Sequence, residues 1–267
     1  MTPTRPPDLL ENLERLQSIK EHPQEAGIFL DFDGTLSHIV DSPAKARLPE
    51  TNRRHLENLA GKYGAVVVIS GRAASALERI VGVPSVTYVG NHGLEVLEAG
   101  RRRVLLPEEL ARKMRSLEGV LSSAITGEGV LLELKELSHA IHYRGSPDPE
   151  KAREAILGAL RELDLRGTRI TEGKMLVQVR PRHPLDKGGA LEILAREKGV
   201  KRLLYVGDDT TDLDAFRSIS KLVREGVLEG AKVAVYHADT PIELFDAGDF
   251  SVDGVEGVEE LLSWLGS

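Results

Sequence analysis

The chain of 267 residues is 41% hydrophobic and 29% charged, with 4% aromatic residues and a net charge of -7. That length allows one large domain or two smaller ones with enough apolar material for a core, and no apolar run reaches the roughly 18 residues a membrane helix needs. Cysteine is absent, which excludes disulfides, thiolate catalysis and cysteine-ligated zinc, and the scattered basic residues argue against a nucleic-acid partner.

The first twenty residues carry acidic charge and prolines rather than a basic patch before an apolar core, so no secretory signal is expected. Asp8-Leu9-Leu10-Glu11 reads as a helix start with its acidic partner three residues on. Leu9, Leu10, Leu13, Leu16 and Ile19 then predict one amphipathic helix ending before Pro23. Next, the apolar run Ala26-Gly27-Ile28-Phe29-Leu30 stops at Asp31-Phe32-Asp33-Gly34-Thr35. Similar runs at 65–69, 202–206 and 232–236 are short and apolar on both faces, as buried parallel strands are. Helical patterns at 50–60, 73–81 and 187–197 lie between them, and this alternation predicts an α/β doubly wound parallel sheet. The basic run Arg101-Arg102-Arg103 is read as a solvated turn.

The middle of the chain reads differently. A helix at 108–117 precedes alternating segments at 130–135 and 138–143, and a helix at 149–163 precedes two more at 169–172 and 175–179. That order, αββαββ, predicts an antiparallel sheet covered on one face and inserted into the parallel one. The expected division is a discontinuous core domain, 1–106 with 180–267, and an α+β insert at 107–179. His139 and His142, three apart on a strand, face opposite ways and make a poor metal pair.

Four strings at predicted strand ends carry chemistry. In a doubly wound sheet the carboxyl edge is where ligands bind, and Asp31 and Asp33 stand there in a turn that lets them converge. Ile69-Ser70-Gly71-Arg72 offers a hydroxyl and backbone amides to an anion. Lys187 opens a helix, where the dipole disfavours a cation. Asp208, Asp209 and Asp212 follow a further strand, and their mutual repulsion calls for a cation. Hard oxygen ligands suit Mg²⁺ better than zinc. A carboxylate nucleophile beside a metal, a lysine and a second carboxyl equips a site for phosphoryl transfer through an aspartyl-phosphate.

These residues resemble the haloacid dehalogenase (HAD) superfamily, whose motifs run D-x-D-x-T, S/T, K and G-D-D-x-x-D. Within it, the chain resembles trehalose-6-phosphate phosphatases through Gly90-Asn91-His92-Gly93, His142-Tyr143-Arg144, Gly173-Lys174, Arg180-Pro181 and Lys187-Gly188-Gly189-Ala190-Leu191, from Ile28 to the C-terminus. The resemblance implies a HAD-like core with a C2-type cap and Mg-dependent hydrolysis of trehalose 6-phosphate, in trehalose biosynthesis, by a cytoplasmic enzyme. It assigns Asp31 as nucleophile, Asp33 as acid/base, and Ser70 and Lys187 as phosphoryl ligands. Asp31, the Asp33 carbonyl and Asp208 would hold the metal, with Thr35, Asp209 and Asp212 behind them. Sugar contacts would come from Asn91, His92 and Gly93 on the core side and from Arg144, Lys174, Gln178 and Arg180 in the cap. Where the family usually reads V-x-E before Arg-Pro, this chain reads Val177-Gln178-Val179. That departure keeps open a sister HAD phosphatase acting on a glycosyl-phosphoglycerate or a hexose phosphate. Two other classes fit less well: a signalling receiver domain carries its acceptor after the third strand and has no insert, and a non-enzymatic sugar-binding protein would not need every catalytic position filled.

Overall fold

Short apolar segments, mostly buried on both faces, pair side by side as parallel strands at the centre of the protein's larger sheet. The structure, a computed structural model, describes residues 5–40, 43–173 and 175–267. The elements in chain order begin with α1 (Gln17–Glu21), β1 (Ala26–Asp31), α2 (Glu50–Lys62), β2 (Ala65–Ile69), α3 (Ala74–Val81), β3 (Thr87–Gly90), β4 (Glu95–Glu98) and β5 (Arg101–Val104). There follow α4 (Glu108–Ala124), β6 (Leu131–Leu134), β7 (His139–His142), α5 (Pro149–Arg161), β8 (Thr168–Gly173) and β9 (Leu176–Pro181). The chain closes with α6 (Lys187–Glu197), β10 (Arg202–Gly207), α7 (Asp212–Arg224), β11 (Glu229–Tyr236), α8 (Ile242–Ala247), β12 (Phe250–Asp253) and α9 (Gly254–Gly266).

Two compact units result, one of Met1–Arg103 with Leu185–Ser267, the other of Val104–Pro184. In the first, eight strands run in the order β12-β11-β10-β1-β2-β3-β4-β5, parallel from β12 to β3 and antiparallel from β3 to β4. Successive strands proceed outward from β1 in one direction and from β10 in the other. The switch point therefore lies between β1 and β10, whose register sets Leu30 beside Val206 and so Asp31 near Gly207. A crevice at the carboxyl ends is a consequence of that reversal.

Two expectations need correction. The predicted helix over 9–19 does not form as one element: Leu13–Leu16 is a 3-10 turn and only Gln17–Glu21 is α-helical. Asp8 instead bridges Ser251, with Leu9 N donating to Ser251 O and Ser251 N to Pro7 O. These two bonds occupy the otherwise open edge of β12, and Asp8 Oδ1 accepts from the Leu10 amide in a local turn that competes with a helix start. The Arg101-Arg102-Arg103 run is strand β5 and not a turn. The turn lies just before it, where Ala99 and Gly100 both take positive φ, 48° and 73°, as a tight hairpin requires.

In the second unit, β6-β7-β9-β8 form an antiparallel sheet. Met114, Leu117 and Leu121 of α4 and Ile156 and Leu160 of α5 pack on Ile141, Tyr143, Val177 and Val179. Each fully buried aliphatic side chain is worth about 1.5–3 kcal/mol. Period-2 alternation then leaves Ala140 and His142 on β7, and Gln178 and Arg180 on β9, on the face away from the helices. His139 turns to the helices, bonding Met114 O at 2.9 Å, while His142 meets Glu133 at 3.1 Å on the other face.

Candidate active site

The nucleophile loop follows from the end of β1. Phe32 and Leu36 are buried apolar anchors, and Gly34 takes a φ of 89° with no room for a side chain. A Cβ there would fall 2.1 Å from Asp208 Oδ2, so glycine lets this loop reach the Asp208 carboxylate. Asp31, Asp208 and Asp212 present oxygens that all lie within 4.8 Å of one another.

Lys187 knits this cluster. Asp186 caps α6 by accepting from the Gly189 amide at 2.8 Å, which puts Lys187 at the first helical position. Gly188 allows α6 to pack against α7 so closely that a Cβ would sit 2.2 Å from Asp214 O. From there Lys187 Nζ donates to Asp31 Oδ1 at 2.5 Å and to Asp212 Oδ1 at 2.6 Å. The unfavourable dipole position is offset by two carboxylates. Burial opposes the ammonium, but Asp212 and Asp31 outweigh it and raise the Lys187 pKa above the ordinary lysine value.

Asp212 is saturated. Its Oδ1 also accepts from Tyr205 Oη at 2.6 Å, and its Oδ2 accepts from the Asp208 and Asp209 amides at 3.0 and 2.9 Å. Asp208 receives Thr35 Oγ1 at 3.2 Å. Burial first, then the Asp212 charge, pushes the Asp208 pKa up to about 8. Burial likewise drives Asp31 well above the carboxylate range, with Asp212 and Asp208 adding to it and Lys187 opposing. Three buried carboxylates against one ammonium leave two negative charges when all ionise. That surplus, the all-oxygen donors and the lack of cysteine fit a hard divalent cation.

A second group adjoins the first through the same loop. Arg72 grips Asp33 by both oxygens, Nε to Oδ2 at 2.8 Å and Nη2 to Oδ1 at 2.6 Å, a bidentate geometry that fixes the carboxylate plane. Ser70 Oγ stands 3.4 Å from Asp33 Oδ2. Asn91 is fully buried, its amide donating to Glu95 at 2.7 Å, and His92 lies over Gly71. Gly93, with φ of 103°, abuts Asp186 O, 2.2 Å from where a Cβ would stand. Asp209 is exposed, and its carboxylate accepts from Thr210 Oγ1 at 3.0 Å.

The remaining candidates belong to the second unit. Gln178 is half-buried and Arg180 buried on the helix-free face of β9, while Arg144 is exposed after β7. Lys174 lies outside the described residues. Sequence reasoning missed three contributors: the Arg72 grip on Asp33, the Tyr205 hydroxyl, which hides in an apolar strand, and His237, whose Nε2 lies 2.5 Å from Gly34 O. Arg72 stood in a recognised string, whereas no sequence pattern marked the other two.

The parallel sheet, its switch point and the inserted antiparallel unit define the fold of haloacid dehalogenase-like hydrolases. A haloacid dehalogenase-like hydrolase from Bacteroides thetaiotaomicron superposes with a TM-score of 0.58 at 18% identity, over 90% of this chain and 99% of that one. The C-terminal domain of C. albicans trehalose-6-phosphate phosphatase superposes with a TM-score of 0.76 at 23% identity, over 100% and 99% of the two chains. The chain belongs to the trehalose-phosphatase family, whose model matches residues 29–243. Trehalose-phosphate phosphatase of Mycobacterium avium is 35% identical over 222 residues, 79% of this chain and 55% of that protein. The chain thus spans about half the length of the curated relatives it matches.

Proposed function

We propose that the protein is a phosphatase that hydrolyses trehalose 6-phosphate to trehalose and inorganic phosphate through an aspartyl-phosphate. The observation that carries this reading is Asp31 at the switch point, bonded to Lys187 and facing Asp208, in a chain of the trehalose-phosphatase family. An Asp31 oxygen attacks phosphorus in line as the bond to the sugar oxygen breaks, and Asp33 gives that oxygen its proton. Asp33 then takes a proton from the water that attacks phosphorus, the Asp31–phosphorus bond breaks, and inorganic phosphate leaves. Ser70 and Lys187 hold the phosphoryl oxygens, Arg72 sets the plane of Asp33, and Thr35 and Asp212 hold Asp208 and Lys187.

Asp31, the Asp33 carbonyl and Asp208 are the residues that would hold Mg²⁺, which when bound supplies positive charge to the phosphoryl group. Sugar selectivity is assigned to Arg144, Lys174, Gln178 and Arg180 of the second unit, read as a C2-type cap, with His92 on the core side. Among the described residues no helix is long and apolar enough to cross a membrane, and a cytoplasmic enzyme acting on a small sugar phosphate is the reading adopted.

Phosphate release from trehalose 6-phosphate, a glucosyl-phosphoglycerate and glucose 6-phosphate, with Mg²⁺, tests the assignment. Highest kcat/KM on trehalose 6-phosphate is expected. A clear preference for either other ester would move the function to a sister phosphatase, the alternative that the uncharged Gln178 keeps open.

A further inference from the structure

We infer that Glu95, which lies outside every motif above, is a positioning residue for the phosphate-binding groups. Its effect on turnover rests on the phosphatase reading, whereas the brace it forms belongs to the fold. Glu95 opens β4 and is 1% exposed. Its Oε1 accepts from Asn91 Nδ2 at 2.7 Å and from the Ala74 amide at 2.8 Å, and its Oε2 accepts from Arg102 Nε at 2.5 Å. Ala74 begins α3, whose own N-cap, Ala73, brings no side-chain bond. Glu95 therefore caps that helix from a neighbouring strand, and the guanidinium of β5 balances its charge.

What this carboxylate steadies are the two turns that carry the candidate phosphate ligands. Asn91 and His92 both hold left-handed backbone, φ of 52° and 58°, which side-chain-bearing residues keep only when their surroundings impose it. From this turn the Asn91 amide donates to Arg72 O at 2.7 Å and the His92 amide to Ser70 O at 2.9 Å. The turn's far side is Gly93, pressed on Asp186 O just before Lys187. One turn thus sets the height of the Ser70 corner and of the Lys187 helix start, and Glu95 ties it to α3 and β5. The inward bond of the Asn91 amide fits a part in this brace.

The test compares the wild type with Glu95→Gln and with the double variant Glu95→Gln/Arg102→Gln. In the single variant an amide nitrogen must face a donor, either Arg102 Nε or the Ala74 and Asn91 pair. In the double variant the amide oxygen introduced at position 102 lies as many bonds from its Cα as Arg102 Nε does. It can accept from the amide nitrogen introduced at position 95. Amide hydrogen exchange should quicken at Asn91 and His92 in the single variant while β1 stays protected. Well below the melting midpoint, kcat/KM on p-nitrophenyl phosphate should fall about 10- to 100-fold. The same factor is expected on a sugar phosphate, with weaker inhibition by inorganic phosphate. The double variant should recover to within about threefold of wild type. Unchanged exchange at the turn overturns the inference. So does faster exchange with wild-type activity and phosphate affinity, which would leave Glu95 a purely stabilising residue. If the wild type hydrolyses no phosphate ester, the phosphatase reading fails, and exchange together with inorganic phosphate binding still decides the brace.

Discussion

The two units carry their polar functional candidates in different ways. In the parallel unit Asp31, Ser70 and Asp208 stand at or just beyond strand ends, and Lys187 at a helix start. All four are buried: Lys187 bonds Asp31 directly, Asp208 and Lys187 share Asp212, and Ser70 bonds Asp33 of the same loop. In the antiparallel unit Gln178 and Arg180 stand within strand β9, alternating with the core residues Val177 and Val179. A cluster at converging loop ends fails as a whole when one charge is lost, because its members compensate each other in a low-dielectric setting. A side chain on a strand face stands outside such a charge-compensated cluster, and its loss is felt locally.

The sharpest way to break that comparison is Asp31→Asn, expected to lower turnover at least about a thousandfold while the circular dichroism spectrum stays native. Wild-type turnover by the purified variant would sink the nucleophile assignment. Asp33→Asn is expected to lose about 10²- to 10⁴-fold on a sugar phosphate and less on p-nitrophenyl phosphate, whose leaving group needs no proton. Equal losses on both would remove Asp33 from the acid role.

Metal removal probes the same cluster. Exhaustive chelation is expected to abolish activity, Mg²⁺ to restore it and Zn²⁺ to do so poorly, since the donors are all hard oxygens. Full activity in the chelated enzyme would refute the cation site.

The second unit is expected to respond more gently. On the proposed sugar contact, Gln178→Ala is expected to lose one hydrogen bond to an uncharged hydroxyl, about 0.5–1.5 kcal/mol or roughly three- to tenfold in kcat/KM on trehalose 6-phosphate. Turnover of p-nitrophenyl phosphate should barely move, and Gln178→Glu should match or exceed wild type on the disaccharide. Equal loss on both substrates would give position 178 a role in the fold alone.

The smallest effect concerns stability. Burial lowers the His139 pKa, its Nε2 bonds Met114 O, and its buried Nδ1 has no hydrogen-bond partner among the described residues. The unfolded chain therefore takes up a proton near pH 6.5 that the folded chain refuses. The contribution is fully present above that pH and is lost as pH falls toward the folded value, at no more than about 1.4 kcal/mol per pH unit. Urea midpoints between pH 7 and 5 should decline less for His139→Gln than for wild type. Parallel declines would leave His139 unlinked to acid stability.

Sequence by itself determined the class of fold and which residues gather at the strand ends. Residues that must meet at a parallel sheet's carboxyl edge occur as short contiguous strings, and buried strands are unbroken apolar runs, so Asp31, Asp33, Ser70, Lys187 and Asp208 were legible one string at a time. It also foretold the opposed faces of His139 and His142, because side-chain parity along a strand is local. Only the tertiary structure decided contacts made across long separations. The grip of Arg72 on Asp33 spans 39 positions and Lys187 meets Asp31 across 156, while Tyr205, only seven positions from Asp212, reaches it from a strand whose run marks no polar role. The same limit explains the helix expected at 9–19: its spacing was helical, but the open edge of β12, near the other end of the chain, offered the backbone of Asp8 and Leu9 a better partner. Periodicity records which face a segment buries, and it carries no record of which distant edge stands ready to pair with it.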